Sequence, residues 1–216
     1  MLVMTELFKS DVVKKKVLTT LLSLNLEGNW SLQSFLLELG LGPELGDALL
    51  EEAVRSGLVR MSDHDRLVLT PDGRISIKVV MAGGVFDILH PGHIYTLSKA
   101  RALGDMLVVS VARDKTVLKM RGKPVMNSEE TRLSLVRSLR FVDAALLGSE
   151  NDIFETVELI RPDIIALGYD QAHDEQMFLK KGAERGLKFL VTRLDSPIPG
   201  LKSTNLKKDQ QLLKSL

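Results

Sequence analysis

Apolar residues in the first third of the chain return at helical intervals. Val12, Val13, Val17, Leu18, Leu21, Leu22 and Leu24 form one such stripe, and a stripe of that period buries one face of a helix. Ser31 stands before a second run, through Leu39, as an N-cap whose side-chain oxygen suits a free backbone N–H, and Gly40 ends that run. Pro43 opens a third helix to about Arg55, closed by Gly57. The period then changes to two. Residues 58–61 and 66–69 alternate around Ser62-Asp63-His64-Asp65, which predicts a hairpin, and Thr70-Pro71-Asp72-Gly73 predicts a turn and a domain boundary.

Beyond residue 75, short apolar runs alternate with amphipathic ones. Strands are predicted over 76–81, 106–111, 144–147, 163–167 and 188–192, and helices over 94–103, 131–139, 154–160, 175–184 and from Ser203 onwards. Such alternation gives an α/β fold, a parallel sheet with helices on both faces, because a parallel neighbour is reached only by a crossover. The chain therefore divides into a small domain, 1–75, and an α/β domain, 76–216. Ligands of parallel sheets sit at the carboxyl ends of the strands.

Composition narrows the chemistry. An apolar share of 44% and a charged share of 26% suit a globular protein with a packed core. The absence of cysteine excludes disulfides, thiolate metal sites and cysteine nucleophiles. No signal-peptide pattern opens the chain, and no stretch reaches the roughly 20 uncharged residues that span a bilayer. A cytoplasmic protein with no membrane partner is expected. Charge is uneven: residues 1–75 hold 8 Lys/Arg against 11 Asp/Glu, a net of −3, and the remainder holds 21 against 17, a net of +4. The second domain has the sign that suits phosphorylated ligands.

The most informative segment is Gly83-Gly84-Val85-Phe86-Asp87-Ile88-Leu89-His90-Pro91-Gly92-His93, directly after the first strand of that domain. Glycines at a strand end let backbone N–H groups approach a ligand, making Gly83, Gly84, Val85 and Phe86 candidate nucleotide-binding residues. Gly92-His93 opens a helix, whose free N–H groups and positive end attract anions. His90 and His93, three apart, can face one phosphate group, donating hydrogen bonds and offsetting developing charge. The competing reading is two surface histidines in a loop. A zinc pair lacks a third nearby ligand, and Arg121-Gly122-Lys123 lacks the glycine and Ser/Thr of a phosphate-binding Walker loop.

The segment resembles the cytidylyltransferase-like nucleotidyltransferase family, whose signature is His-x-Gly-His at the first strand-to-helix turn. Further pieces follow in the family's order: Val111-Ala112-Arg113-Asp114-Lys115-Thr116-Val117, Arg121-Gly122-Lys123-Pro124, Glu129-Glu130-Thr131-Arg132, Phe141-Val142-Asp143, Leu167-Gly168-Tyr169-Asp170-Gln171 and Lys202-Ser203-Thr204. Within the family the combination is most similar to archaeal FAD synthases and next to glycerol-3-phosphate cytidylyltransferases. The resemblance implies a Rossmann-like domain that joins a nucleoside monophosphate from an NTP to a phosphate-bearing acceptor and releases pyrophosphate. It implies ATP as donor, FMN as acceptor and Mg²⁺ on the triphosphate, with CTP and glycerol 3-phosphate as the alternative pair. By the same resemblance His90, His93 and Lys123 are catalytic. Gly168 and Asp170 lie beside the nucleoside, and Ser203 and Thr204 hold phosphates at a helix N-terminus. Asp87, Lys123, Arg132 and Tyr169 are expected on the acceptor side. Each has a plainer alternative: a turn-orienting role for Asp87, a solvated loop lysine for Lys123, an ion pair with Glu129 for Arg132, packing for Tyr169.

Two departures separate the chain from the glycerol-phosphate enzymes: Gln171 stands where they usually carry Trp, and Ile198 where they carry Arg. Two others separate it from the FAD synthases, which carry cysteines near the C-terminus and usually lack an N-terminal extension. That extension, three helices then a hairpin, resembles a winged helix, which admits a DNA-binding regulator with a nucleotide-sensing domain. Yet its third helix presents Glu44, Asp47, Glu51 and Glu52 against Arg55 alone, a surface that repels phosphates. A docking or dimerisation module, with the protein a homodimer, is the expectation.

Overall fold

The structure, a computed structural model, describes residues 2–169, 171 and 174–195. The expected positions Asp170, Ser203 and Thr204, and the helix expected from Ser203, lie outside the described residues. The chain splits into two compact units, Met1–Lys78 and Val79–Leu216.

The first unit begins with a helix not expected from the pattern, α1 (Leu2–Lys9), on which Phe8 is buried. Then come α2 (Asp11–Leu26), α3 (Leu32–Leu39) and α4 (Pro43–Arg55). Val17, Leu18, Leu21 and Leu24 form the buried stripe of α2. Ser31 caps α3 by accepting from the Ser34 N–H at 2.9 Å, and Gly40 ends it at φ 65°. The hairpin follows as β1 (Val59–Met61) and β2 (Leu67–Leu69), antiparallel with Val59 opposite Leu69. Asn25 donates from α2 to the Leu67 carbonyl at 2.9 Å and ties helix to hairpin.

The predicted turn at 70–73 is instead the start of a short helix, α5 (Pro71–Ile75). Thr70 caps it, accepting from the Gly73 N–H at 3.1 Å. Gly73 is where the backbone of Leu58 passes: a Cβ there would lie 2.0 Å from the Leu58 carbonyl oxygen.

In the second unit the strands are β3 (Val79–Gly84), β4 (Met106–Val111), β5 (Ala144–Leu147), β6 (Ile164–Leu167) and β7 (Leu190–Arg193). They form one parallel sheet in the order β5-β4-β3-β6-β7. The helices are α6 (Pro91–Arg101), α7 (Asp114–Arg121), α8 (Glu129–Arg137), α9 (Ile153–Ile160) and α10 (Glu175–Glu184). The chain runs outward through β4 and β5, then returns to the other side of β3 at β6. The crevice between diverging connections therefore lies at the β3–β6 boundary.

Two expectations are corrected. The first strand of this unit spans 79–84 rather than 76–81, so both glycines belong to the ladder, Gly83 beside Ser110 and Gly84 beside Val111. Residues 114–121, not expected as a helix, form α7, ended by Gly122 at φ 62°. Val80 and Ala82 face a core shared with Leu97 and Ala100 of α6 and Val136 of α8. Asp163 accepts from the Val79 N–H at 2.7 Å and Asp143 from the Leu107 N–H at 2.8 Å, fixing the strand starts opposite the ligand end. No helix among the described residues is long and apolar enough to cross a membrane.

Replacing Gly73 by Ala forces the Leu58 backbone to move, and overpacking of this kind costs about 1–3 kcal/mol. Urea unfolding of Gly73→Ala is expected to show a loss in that range.

Candidate active site

A cleft of about 500 Å³ opens at the carboxyl ends of the strands. Its floor begins where β3 ends in Gly83 and Gly84. Phe86 follows with φ 55°, a left-handed conformation that is strained for a bulky residue. The strain places the Phe86 ring over Gly84, where an added Cβ would lie 2.7 Å from it. The buried ring is then 5.3 Å from that of His93.

His90 is the N-cap residue of α6 in extended conformation, Pro91 takes the first helical position, and the His93 N–H donates to the His90 carbonyl at 2.9 Å. That turn stacks the two imidazoles, with centroids 3.9 Å apart and planes 27° apart. Both histidines and Gly92 line the cleft. The His90 side chain does not cap α6, and the first turn carries no acid. A helix N-terminus of that kind presents N–H donors and a positive end to a bound anion. Lys99 and Arg101 sit in the last turn, where the opposite end of the dipole favours them.

The loop from α7 to α8 is hung on two buried groups. Asp87 accepts from the Met126 N–H at 2.9 Å and the Asn127 N–H at 3.0 Å, and Asn127 Nδ2 returns a bond to the Asp87 carbonyl. Arg132 has no exposed surface. Its guanidinium donates to the carbonyls of Val85 at 2.5 Å, Ala112 at 2.7 Å and Asn127 at 3.1 Å, and to Asp114 Oδ1 at 2.7 Å. The guanidinium is thus engaged by the protein itself, and of the two alternatives the pair with Glu129 is not the one formed. Glu129 instead binds Arg113 at 2.9 Å and the Asp114 N–H at 2.7 Å. Of the two roles weighed for Asp87, orienting the backbone is the one the bonding displays, although its side chain also borders the cleft.

Lys123 is exposed on that loop and is not among the residues lining the cleft, whereas its neighbours Met120 and Arg121 are. Gly168 and Tyr169 border the cleft at the end of β6. Gln171 joins them to β3: its Nε2 donates to the Gly83 carbonyl at 2.7 Å, and its Oε1 accepts from the Gly168 N–H at 3.2 Å. Arg193 fixes the same turn by donating to the carbonyls of Gly168 and Gln171. Sequence reasoning missed Thr116. Its Oγ1 is buried beside the cleft with no hydrogen-bond partner among the described residues, leaving it available to a ligand oxygen. Only its position inside the recognised Val111–Val117 motif hinted at it.

A parallel sheet whose switch point carries bare strand-end glycines, stacked imidazoles and an uncapped helix end defines a Rossmann-like nucleotidyltransferase domain. The profile of the family described as cytidylyltransferase-like matches residues 81–208. The chain belongs to that family and is a nucleotidyltransferase. It is 56% identical over 115 residues to the FAD synthase of Aciduliprofundum boonei, covering 53% of this chain and 76% of that protein. With the FAD synthase of Methanosarcina barkeri it shares 55% over 115 residues, 53% of this chain and 81% of the other. A solved structure, the lipopolysaccharide core biosynthesis protein from Thermoplasma volcanium GSS1, superposes with a TM-score of 0.54 at 46% identity, covering 56% of this chain and 98% of that one.

Leaving a buried acceptor without its partner costs about 1–3 kcal/mol, so losing three sums to several kcal/mol. Arg132→Met, which strands three carbonyls, is expected to lower unfolding free energy on that scale in urea titration. A loss below about 1 kcal/mol contradicts the clamp.

Proposed function

We propose that the protein is an FMN adenylyltransferase: it transfers AMP from ATP to FMN, giving FAD and pyrophosphate. The stacked pair His90 and His93 at the uncapped start of α6 carries this reading, since it gathers donors where a triphosphate's charge must be met. The choice of ATP and FMN is supported by the FAD synthases that share half the sequence over 115 residues.

An oxygen of the FMN phosphate attacks the α-phosphorus in line. The bond to the β-phosphate breaks, and pyrophosphate leaves with the electron pair. A phosphate monoester is already an adequate nucleophile at neutral pH, so positioning and charge neutralisation dominate. His90, His93 and the backbone N–H groups of α6 would meet the charge on the transferring phosphate. Lys123 would reach it by closure of the loop suspended from Asp87, and Tyr169 would border the bound nucleoside. Asp170, Ser203 and Thr204 keep the nucleotide-side roles implied by the family. A divalent cation, Mg²⁺ in this reading, neutralises the triphosphate when bound. Such an ion is commonly held by substrate phosphates and water.

The first unit is proposed to be a winged-helix-like docking or dimerisation module. Glu44, Asp47 and Glu51 are exposed on α4, where a DNA-reading helix would need Lys and Arg.

Purified His90→Ala and His93→Ala are each expected to lose about two to three orders of magnitude in kcat, by analogy with a removed oxyanion donor, with unchanged circular dichroism. Wild-type rates of pyrophosphate release from either variant refute the assignment. Release measured across ATP and CTP, each with FMN and glycerol 3-phosphate, tests the substrates: turnover confined to CTP with glycerol 3-phosphate removes the flavin reading. Chelation with EDTA should abolish turnover and added Mg²⁺ restore it; full activity in EDTA refutes the metal requirement.

A further inference from the structure

The parallel sheet splits at its carboxyl end. β3 stays paired with β4 as far as Gly84 beside Val111, and the Gly84 carbonyl then accepts from the Ala112 N–H at 2.9 Å. β6 likewise stays paired with β7 as far as Leu167 beside Arg193. Between β3 and β6 the ladder runs only from Val80 beside Ile164 to Ala82 beside Ala166. The two halves therefore part just before Gly83, and the parting falls at the switch point where parallel sheets take their ligands.

One side chain spans the split. The Gln171 amide donates through Nε2 to the Gly83 carbonyl at 2.7 Å and accepts at Oε1 from the Gly168 N–H at 3.2 Å. It supplies one donor and one acceptor to backbone groups that the ladder no longer serves. The turn that carries Gln171 does not depend on this amide. Its backbone N–H donates to the Gly168 carbonyl at 3.2 Å, and Arg193 donates to the carbonyls of Gly168 and Gln171 at 3.1 and 2.9 Å. What does depend on the amide is the spacing of Gly83 from Gly168.

Gly83, Gly168 and Gln171 all line the cleft. The φ of Gly83 is not positive, and a Cβ added there would meet only the Ser110 carbonyl oxygen, at an unstrained 3.7 Å. Neither backbone conformation nor internal packing requires glycine at this position, in contrast to Gly84, where a Cβ would lie 2.7 Å from the Phe86 ring. The missing side chain leaves bare backbone for a ligand, held in place from behind by the amide.

We infer that Gln171 is a positioning residue for the nucleotide: its amide sets the gap between Gly83 and Gly168, and with it the seat of the nucleoside. The inference rests on the proposed nucleotidyl transfer, in which both glycines border the nucleotide. Asp87 and the loop carrying Lys123 are held by a separate set of bonds centred on Arg132. Loss of the amide therefore falls on one substrate and spares the other. Few side chains could replace it. Glutamate sets an ionised oxygen against the Gly83 carbonyl, and methionine, of similar length, bridges neither group.

The test measures pyrophosphate release by the full chain, varying ATP at saturating FMN and then FMN at saturating ATP. Gln171→Met and Gln171→Glu should each raise the KM for ATP about tenfold or more, the scale of two lost hydrogen bonds. kcat should stay within about threefold and the KM for FMN within about twofold, a split between substrates that a general loss of stability does not produce. The ligand-free variants should unfold close to the wild-type temperature, and the upward shift that ATP gives the wild type should shrink. Should Gln171→Glu fail to fold, Gln171→Met decides. A rise in the KM for FMN alone, equal rises for both substrates, or no change in either overturns the inference. Turnover of the wild type with CTP and not ATP overturns the donor assignment alone, and the same comparison run on CTP then decides the role of Gln171. No turnover with any NTP overturns the proposed function and this inference together.

Discussion

A guanidinium buried without access to water must be met by acceptors on every donating edge, and Arg132 meets that demand with the loops that build the cleft. Val85 lies in the turn before the histidines, Ala112 and Asp114 lie where β4 passes into α7, and Asn127 lies in the loop carrying Lys123. Three connections with no mutual hydrogen-bond ladder thus share one rigid, planar donor. Lysine could not replace it, having a single nitrogen and no fixed fork. The geometry of His90 and His93 depends on this knot, because the turn preceding them is anchored through Val85.

The same economy of parts governs the strand end. Gly84 leaves room for the tip of the Phe86 ring, and Phe86 itself takes a left-handed φ of 55°. The start of α6 has no cap from the His90 side chain. In an ordinary surface helix a Ser or Asp would occupy that place, as Ser31 does for α3 and Asp152 for α9. α2, α4 and α7 also begin without a side-chain cap, so what sets α6 apart is the stacked imidazole pair beside its start.

Around the histidine pair, side chains from separate elements hold the strand-end turns in place. Gln171 and Arg193 bind the β6 turn to β3 and to each other, shaping the switch-point crevice.

The sequence by itself determined the alternation of strands and helices in the α/β unit apart from α7, its parallel sheet and the strand-to-helix turn that carries His90 and His93. These rest on local periodicity, capping and backbone freedom, all written within a dozen residues of one another. It also exposed the acidity of α4. What only the tertiary structure decided was the partner of each long side chain. Arg132 and Glu129 sit on the same turn of helix, where a local pair is the natural expectation, yet each reaches across to a different loop: Arg132 to Asp114 and the carbonyl groups, Glu129 to Arg113. Spacing along the chain cannot reveal this, because a buried charge chooses acceptors by proximity in space. Gly83 and Gly84 read alike as neighbouring glycines. Only the packing around each shows that Gly84 is required by the Phe86 ring and that Gly83 is required by nothing in the protein itself.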